Sequence, residues 1–266
     1  MRFCSIASGS SGNCIYVGSE TTHLLIDVGI SGSRAEKGLN ELNLAGRDVD
    51  GILVTHEHSD HINGLGVLAR KYGTPIYATK KTIEAIISGG KIGKLDESLF
   101  HEVVADEKFV IKDLTVRPMK ISHDAADPVG YRVAYGSKKV AVCTDLGHFT
   151  DYTVDALRGM DALLLEANHD VNMLQVGKYP YYLKQRILSD RGHLSNENSG
   201  RLLSRILHDD LKAIVLGHLS QENNLPELAY EAVRMEITMG DNPYKAEDFD
   251  MRVADRNDLS PVINIA

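Results

Sequence analysis

Cysteine is scarce in this chain: Cys4, Cys14 and Cys143 are the only three among 266 residues, and no two form a C-x-x-C pair. An odd, widely spaced set excludes a disulfide framework and argues against a cysteine-zinc site. The three read instead as small buried residues of early and middle strands in a reducing compartment. No apolar run is long enough to cross a bilayer. Ser and Gly interrupt the N-terminal stretch from Ser8 to Gly12, which leaves no secretory h-region. The expectation is a cytoplasmic chain with no membrane partner. A basic excess is also missing, since 29 Lys and Arg against 37 Asp and Glu give −8. That disfavours a general nucleic-acid coat protein and leaves room only for a local basic groove. No low-complexity stretch or Pro/Gly/Ser linker divides the chain. With 43% hydrophobic residues, one domain over residues 1–266 is expected.

Apolar runs and turn residues outline the elements. Phe3–Ile6, the turn Ser8–Asn13 and Cys14–Val17 read as a β-hairpin, followed by a short strand over Leu24–Asp27. A helix is expected next, with Ser33 and Glu36 as a capping box, Leu39 and Leu42 inward, and Gly46 just past its end. The strand Gly51–Thr55 precedes a helix with Leu65 and Leu68 inward that stops at Gly73, and Pro75–Ala78 extends again. The middle is strand-rich: Leu114–Ser122, then Tyr131–Tyr135 and Lys139–Thr144 joined through Gly136-Ser137, then Ala162–Glu166. The last third alternates a helix over Ser195–His208, a strand Ala213–Gly217 and a helix from Pro226. Strands and helices in both halves indicate an α/β protein with two sheets between helix layers.

The densest chemistry lies in Thr55-His56-Glu57-His58-Ser59-Asp60-His61, directly after an apolar strand. In an extended stretch, residues two apart point the same way, so His56 and His58 can face one ion. A helix starting near Ser59 would project Asp60 and His61 toward a neighbouring point. Imidazole and carboxylate together suit zinc, manganese or iron better than magnesium or calcium. The plain alternative is a polar loop rich in histidine. Against it, His123, Asp145, Glu166 and His218 each follow or end a later strand. In open α/β sheets the binding crevice lies beyond the carboxyl ends of the strands, so these residues would gather around one rim.

With those residues in view, the chain resembles the metallo-β-lactamase superfamily. His56-Glu57-His58-Ser59-Asp60-His61 matches the H-x-H-x-D-H signature, and His123, Asp145 and His218 match the three later ligand motifs in order. The resemblance spans almost the whole chain and implies a four-layer αββα sandwich. It also implies two divalent transition metals: His56, His58 and His123 on the first, Asp60, His61 and His218 on the second, and Asp145 bridging. Thiol-ligand lactamases and flavodi-iron proteins are set aside, because no Cys takes a ligand position and His58 stands where the latter carry Glu. Two ions roughly 3.5–4 Å apart can share a hydroxide made from water whose pKa falls from about 15.7 toward 7. Asp60 would both hold the second ion and orient that hydroxide.

The signature fixes only hydrolysis, and three further features favour a phosphodiester. Gly192-His193-Leu194-Ser195 is similar to the histidine motif of transfer-RNA 3′-processing enzymes, in which a histidine held by glutamate protonates the leaving oxygen. Glu166 is in the corresponding place. General acid help would be worth about 10²–10⁴ in rate. The alternative is that His193 caps the Ser195 helix and Glu166 is a structural acid. Secondly, Lys178, Lys184, Arg186 and Arg191 against Asp190 give +3, with Tyr179, Tyr181 and Tyr182 interleaved. Such a stretch either stacks bases and binds phosphate, with Lys184, Arg186, Arg191 and Ser195 as substrate contacts, or is a solvated helix with its tyrosines inward. Thirdly, Ser8–Asn13, Lys184–Asn196 and Leu216–Asn223 resemble the bacterial YycJ (WalJ) group, described as 5′→3′ exonucleases of double-stranded DNA with a link to mismatch repair. That resemblance implies a DNA substrate; protein partners are unknown. The turn Ser8–Asn13 is either an anion nest or only a hairpin closure. Asp27 either braces a ligand histidine or ends its strand. His148 and His169 are expected on nearby loops rather than on metal. The filled stretch between Asp145 and His218 leaves no room for the lid domain of ribonuclease J-type enzymes. Competing readings are an RNA-processing endonuclease or small phosphodiesterase, a thioester or lactone hydrolase, and a non-enzymatic metal-stabilised protein.

Overall fold

A computed structural model describes all 266 residues, which separate into two compact units. The first comprises Met1–Lys120, Ala125–Lys138 and Asp255–Ala266. Its sheet holds β1 (Arg2–Ala7), β2 (Cys14–Gly18), β3 (His23–Ile26), β4 (Gly51–Leu53), β5 (Ile76–Thr79) and β6 (Phe100–Val103) in sequence order, with the C-terminal strand Ile263–Asn264 outside β1. Pairing is antiparallel from the C-terminal strand to β3 and parallel from β3 to β6. An antiparallel meander of β7 (Phe109–Ile111), β8 (Leu114–Lys120) and β9 (Val129–Tyr135) completes its strands. Four helices belong here: α1 (Gly32–Glu41), α2 (Ser59–Ile62), α3 (Leu65–Tyr72) and α4 (Lys80–Gly89).

The core of this unit joins Ile6, Tyr16, Leu25 and Ile52 of the sheet to Leu39 of α1 and Leu65 and Leu68 of α3. The helical period in the sequence thus reports true packing faces. The capping of α1 differs from expectation. Ser31, not Ser33, caps the helix by accepting from Arg34 N, and Glu36 accepts instead from Lys71 Nζ and Tyr72 Oη. An opposite charge and a phenol within reach outbid the capping-box geometry. Gly73 ends α3 in the left-handed region at φ +66°, as its position predicts. The helix α4 and strands β6 and β7 lacked a clear sequence signal, because their partly exposed faces blur the periodicity.

The second unit comprises Ile121–Asp124 and Lys139–Ala254. Four strands, β10 (Lys138–Cys143), β11 (Ala162–Glu166), β12 (Ala213–Gly217) and β13 (Asp250–Val253), pair in parallel in that order. The central β11 and β12 are buried at every position, which is why they read as unbroken apolar runs. The helices are α5 (Asp151–Leu157), α6 (Val171–Val176), α7 (Tyr181–Leu188), α8 (Asn196–Ile206) and α9 (Pro226–Met239). No helix is long and apolar enough to cross a membrane.

All three cysteines are buried and unbonded to one another. Burial drives their thiols upward, Cys4 to about 12 and Cys14 and Cys143 beyond it. Buried thiols held in the protonated form are unreactive toward oxidants and electrophiles.

Candidate metal centre

In the first unit, β4 delivers the chain through Val54 and Thr55 to His56, and α2 begins at Ser59 as expected. The His56 ring lies 4.7 Å from that of His58 and 4.1 Å from that of His61, centroid to centroid. Asp27 organises this set. Its Oδ1 accepts from Thr55 N at 2.8 Å, and its Oδ2 accepts from Thr55 Oγ1 at 2.8 Å and His61 Nδ1 at 2.7 Å. Since the Thr55 hydroxyl gives its only proton to Asp27, its contact with His56 Nδ1 at 3.0 Å is one in which Nδ1–H donates. Both imidazoles therefore carry their proton on Nδ1 and a lone pair on Nε2, the form that ligates metal.

Asp60 Oδ2 stands 3.5 Å from the Nε2 lone pair of His61. Two acceptors brought face to face in a largely buried place fit a cation between or beside them. The backbone around them is tightly set. Asn13 N donates to Asp60 O at 2.9 Å and Val28 N to His61 O at 2.9 Å. A Cβ on Gly29 would lie 1.6 Å from Asp60 O, so only glycine permits this approach.

The second unit supplies His123, Asp145, Glu166, His193 and His218. His123 Nδ1–H donates to Gly192 O at 3.1 Å, which again leaves the lone pair on Nε2. Burial lowers the pKa of His123 and favours the neutral ring. Asp145 Oδ1 lies 3.6 Å from His123 Nε2, 3.2 Å from His218 Nε2 and 3.7 Å from His193 Nδ1. Ligand atoms of Asp145, Glu166, His193 and His218 all fall within 4.8 Å of one another.

Glu166 differs from the others in how its oxygens are used. Oε1 accepts from His193 Nδ1 at 2.7 Å, while Oε2 accepts from Leu146 N at 2.8 Å and Leu194 N at 3.1 Å. A carboxylate so engaged serves to hold His193 and the strand end. The His193 ring stacks at 19° on that of His218, with 5.4 Å between centroids. Ser195, not His193, caps α8 by accepting from Asn198 N at 3.3 Å.

Three of the six non-glycine residues with left-handed backbone are site residues: Asp27 at φ +61°, Asp145 at +58° and His218 at +56°. Each such conformation costs about 1–3 kcal/mol and concentrates at functional sites. For His218 the support is visible, since Asn168 Nδ2 donates to its carbonyl at 2.9 Å.

The residues read as substrate contacts are engaged within the second unit. Arg186 pairs with Asp124, whose Oδ1 is 3.1 Å from Nη2. Arg191 donates to His123 O from Nε at 3.3 Å and Nη2 at 3.2 Å, and Lys184 Nζ donates to Gln175 O at 2.7 Å. Tyr181 and Tyr182 point outward, contrary to an inward-packed helix face. His148 is exposed, its Nδ1 2.8 Å from Asp190 O, and His169 is buried on the loop after β11. The sequence reading missed Thr55, Asn13, Asn168 and Asp124. Thr55 and Asp124 flank ligand histidines, so adjacency was the available signal; Asn13, read only as part of the Ser8–Asn13 turn, has Nδ2 3.3 Å from His61 Nε2, and Asn168 acts on a distant backbone carbonyl and left no signal.

Comparison with known proteins now carries weight. The family described as "Beta-lactamase superfamily domain" matches residues 22–218. The chain is 42% identical over 241 residues to exodeoxyribonuclease YycJ of Bacillus anthracis, covering 88% of each chain. It is also 42% identical over 240 residues to exodeoxyribonuclease WalJ of Streptococcus pneumoniae, covering 90% of this chain and 89% of that one. The zinc-bound PqqB of Methylobacterium extorquens superposes over 100% of both chains at 16% identity with a TM-score of 0.69. This chain belongs to the β-lactamase superfamily, as a hydrolase of the metallo-β-lactamase fold. Its α/β architecture is the αββα class expected from the sequence.

Proposed function

We propose that this chain is a dinuclear metal-dependent phosphodiesterase that degrades double-stranded DNA from the 5′ end, in the cytoplasm and in the service of repair. The names of its two 42%-identical relatives support a nuclease, and the family match across both units supports residues 1–266 acting as one domain without an inserted lid. In this reading His56, His58 and His123 hold one divalent ion, Asp60, His61 and His218 hold the other, and Asp145 serves both. The donor set of imidazole and carboxylate admits zinc, manganese or iron. Bound there, such ions supply a water acidified toward neutral pH and positive charge for the phosphoryl oxygens.

The observation that carries the choice of phosphodiester is the His193 Nδ1···Glu166 Oε1 contact at 2.7 Å, set beside Asp145 and His218. Glu166 fixes the ring so that Nε2–H of the protonated imidazole faces away from it. His193 then gives that proton to the departing 3′ oxygen, and Glu166 compensates the ring's charge. Asp60 would orient the attacking water. Arg186 exchanges Asp124 for a substrate phosphate, Arg191 keeps the His123 backbone in place, and Lys184 and Ser195 complete the substrate contacts in this reading.

The test is a substrate panel. Protein loaded with Mn²⁺ or Zn²⁺ receives 5′-labelled and 3′-labelled duplex DNA, RNA, bis-p-nitrophenyl phosphate and an acyl thioester. Release of 5′-label as mononucleotide ahead of internal cuts is expected. Turnover of RNA alone would assign an RNA-processing endonuclease, and turnover of the thioester alone would end the proposal.

A further inference from the structure

The helix α7 is poorly buried for an element next to a reaction centre. Of its eight residues only Ile187 is buried, while Tyr181 and Tyr182 are 77% and 73% exposed. Val176 at the end of α6 is 86% exposed and Leu188 40%. Two neighbouring tyrosines left in water are an unfilled binding surface, since each can cover a large apolar area at little conformational cost. Their cationic neighbours are arranged by the helical repeat: Lys184 follows Tyr181 by three residues and Arg186 follows Tyr182 by four, so each pair shares a face. The wider segment Lys178–Arg191 carries +3 within a chain of −8.

This face is physically tied to the centre. His193 N donates to Ile187 O at 3.0 Å and Gly192 N to Ser189 O at 2.8 Å, which joins the end of α7 to the loop bearing His193. Asp124, the partner of Arg186, has Oδ1 3.4 Å from His123 Nε2. A phosphate taken by Arg186 in place of Asp124 would therefore lie near His123, and Tyr182, on the same face of α7 as Arg186, would be the ring placed for its base.

Resting on the nuclease reading above, we infer that α7 is a stacking platform that receives an unpaired end of the substrate strand: Tyr182, with Tyr181 beside it, stacks terminal bases while Arg186 holds the adjoining phosphate. Positive charge interleaved with exposed aromatic faces complements a nucleic-acid strand rather than an apolar protein surface. Paired bases do not offer their faces, so the platform favours frayed or overhanging ends over blunt ones. Stacking is worth about 1–3 kcal/mol per base, or roughly 5- to 150-fold in affinity.

The experiment uses the metal-loaded full chain and a duplex whose overhanging 5′ end carries 2-aminopurine and an uncleavable terminal phosphorothioate. Wild type should quench the fluorophore and bind the overhang more tightly than a blunt duplex. Tyr182→Ala should lose the quenching and weaken binding about tenfold, Tyr181→Ala/Tyr182→Ala more, and Tyr182→Phe should retain both. Hydrolysis of bis-p-nitrophenyl phosphate, which needs only the centre, should be unchanged in all three. Unaltered overhang affinity in the double variant would overturn the platform while leaving the nuclease reading intact. If wild type itself binds no DNA yet hydrolyses bis-p-nitrophenyl phosphate, platform and polynucleotide substrate fall together. A double variant that keeps its DNA affinity but loses association with another protein would assign the face to a protein contact and likewise overturn the inference.

Discussion

In the first unit, four ligand-type side chains come from six consecutive residues, His56 to His61, and one carboxylate, Asp27, braces His61 directly through its Nδ1 proton and His56 indirectly through the Thr55 hydroxyl. In the second unit, His123, Asp145 and His218 stand after three different strands, and the supports are separate: Gly192 O accepts from the His123 ring and the Asn168 side-chain amide donates to His218 O. A contiguous set can be fixed by one buried acid whose loss reaches several ligands at once. A dispersed set relies on separate strand ends, antiparallel β8 before His123 and parallel β10 and β12 before Asp145 and His218, each ligand having its own small support. The first arrangement concentrates risk, and the second spreads it.

Several measurements would break or sharpen that contrast, beginning with the largest effect. Removing metal by chelation, or substituting Asp145→Ala, should abolish phosphodiester cleavage below detection, with two, then fewer, ions per chain by elemental analysis. His193→Ala should lower kcat by about 10²–10⁴ while ion stoichiometry stays at two, because this residue moves a proton rather than holding an ion. Asp27→Asn should weaken metal binding about 10- to 100-fold by titration calorimetry, since it disturbs both His56 and His61. Asn168→Ala removes the Nδ2 hydrogen bond to His218 O, worth about 1 kcal/mol, together with the 3.3 Å contact of Oδ1 with His169 Nδ1, and should weaken metal binding only about fivefold. Equal effects for these two variants would dissolve the distinction between concentrated and distributed support.

A pH measurement isolates the second unit. Burial of His169 lowers its pKa to about 4, well below the ordinary histidine value near 6.5. Between those values the unfolded chain binds a proton that the folded chain does not, so folding stability must fall as pH drops from about 6.5 to 4. The contribution is on the order of 3 kcal/mol, present above pH 6.5 and lost toward pH 4. Denaturant melts of wild type and His169→Asn across this window should converge at the acid end. The smallest effect is expected for Ser195→Ala, which removes the α8 cap at about 1 kcal/mol and should lower Tm by a few degrees.

The legibility of the molecule follows the same division. The His56–His61 cluster, the fully buried strands Ala162–Glu166 and Ala213–Gly217 and the helix from Pro226 could be read from residue types because local pattern and final environment agree. The strand-end positions of Asp145 and His218 were readable for the same reason. The capping of α1 was misplaced because Glu36 found Lys71 and Tyr72, residues distant in sequence, in place of its own helix end. The role of Thr55 as the link between Asp27 and His56, and of Asn168 as support for the His218 carbonyl, could not be read from residue types, since each depends on which atom of a neighbour faces it. The outward tyrosines of α7 were undecided because eight residues with one buried position give no periodicity to read.

The left-handed backbone at Asp145 and His218 restricts how this protein can drift. Glycine is the one residue that would relax either position, yet it has no side chain with which to ligate. Selection for a sturdier fold and selection for a working centre therefore pull these two codons in opposite directions. A homologue that has lost the activity should reveal itself by glycine there, well before the rest of the scaffold changes.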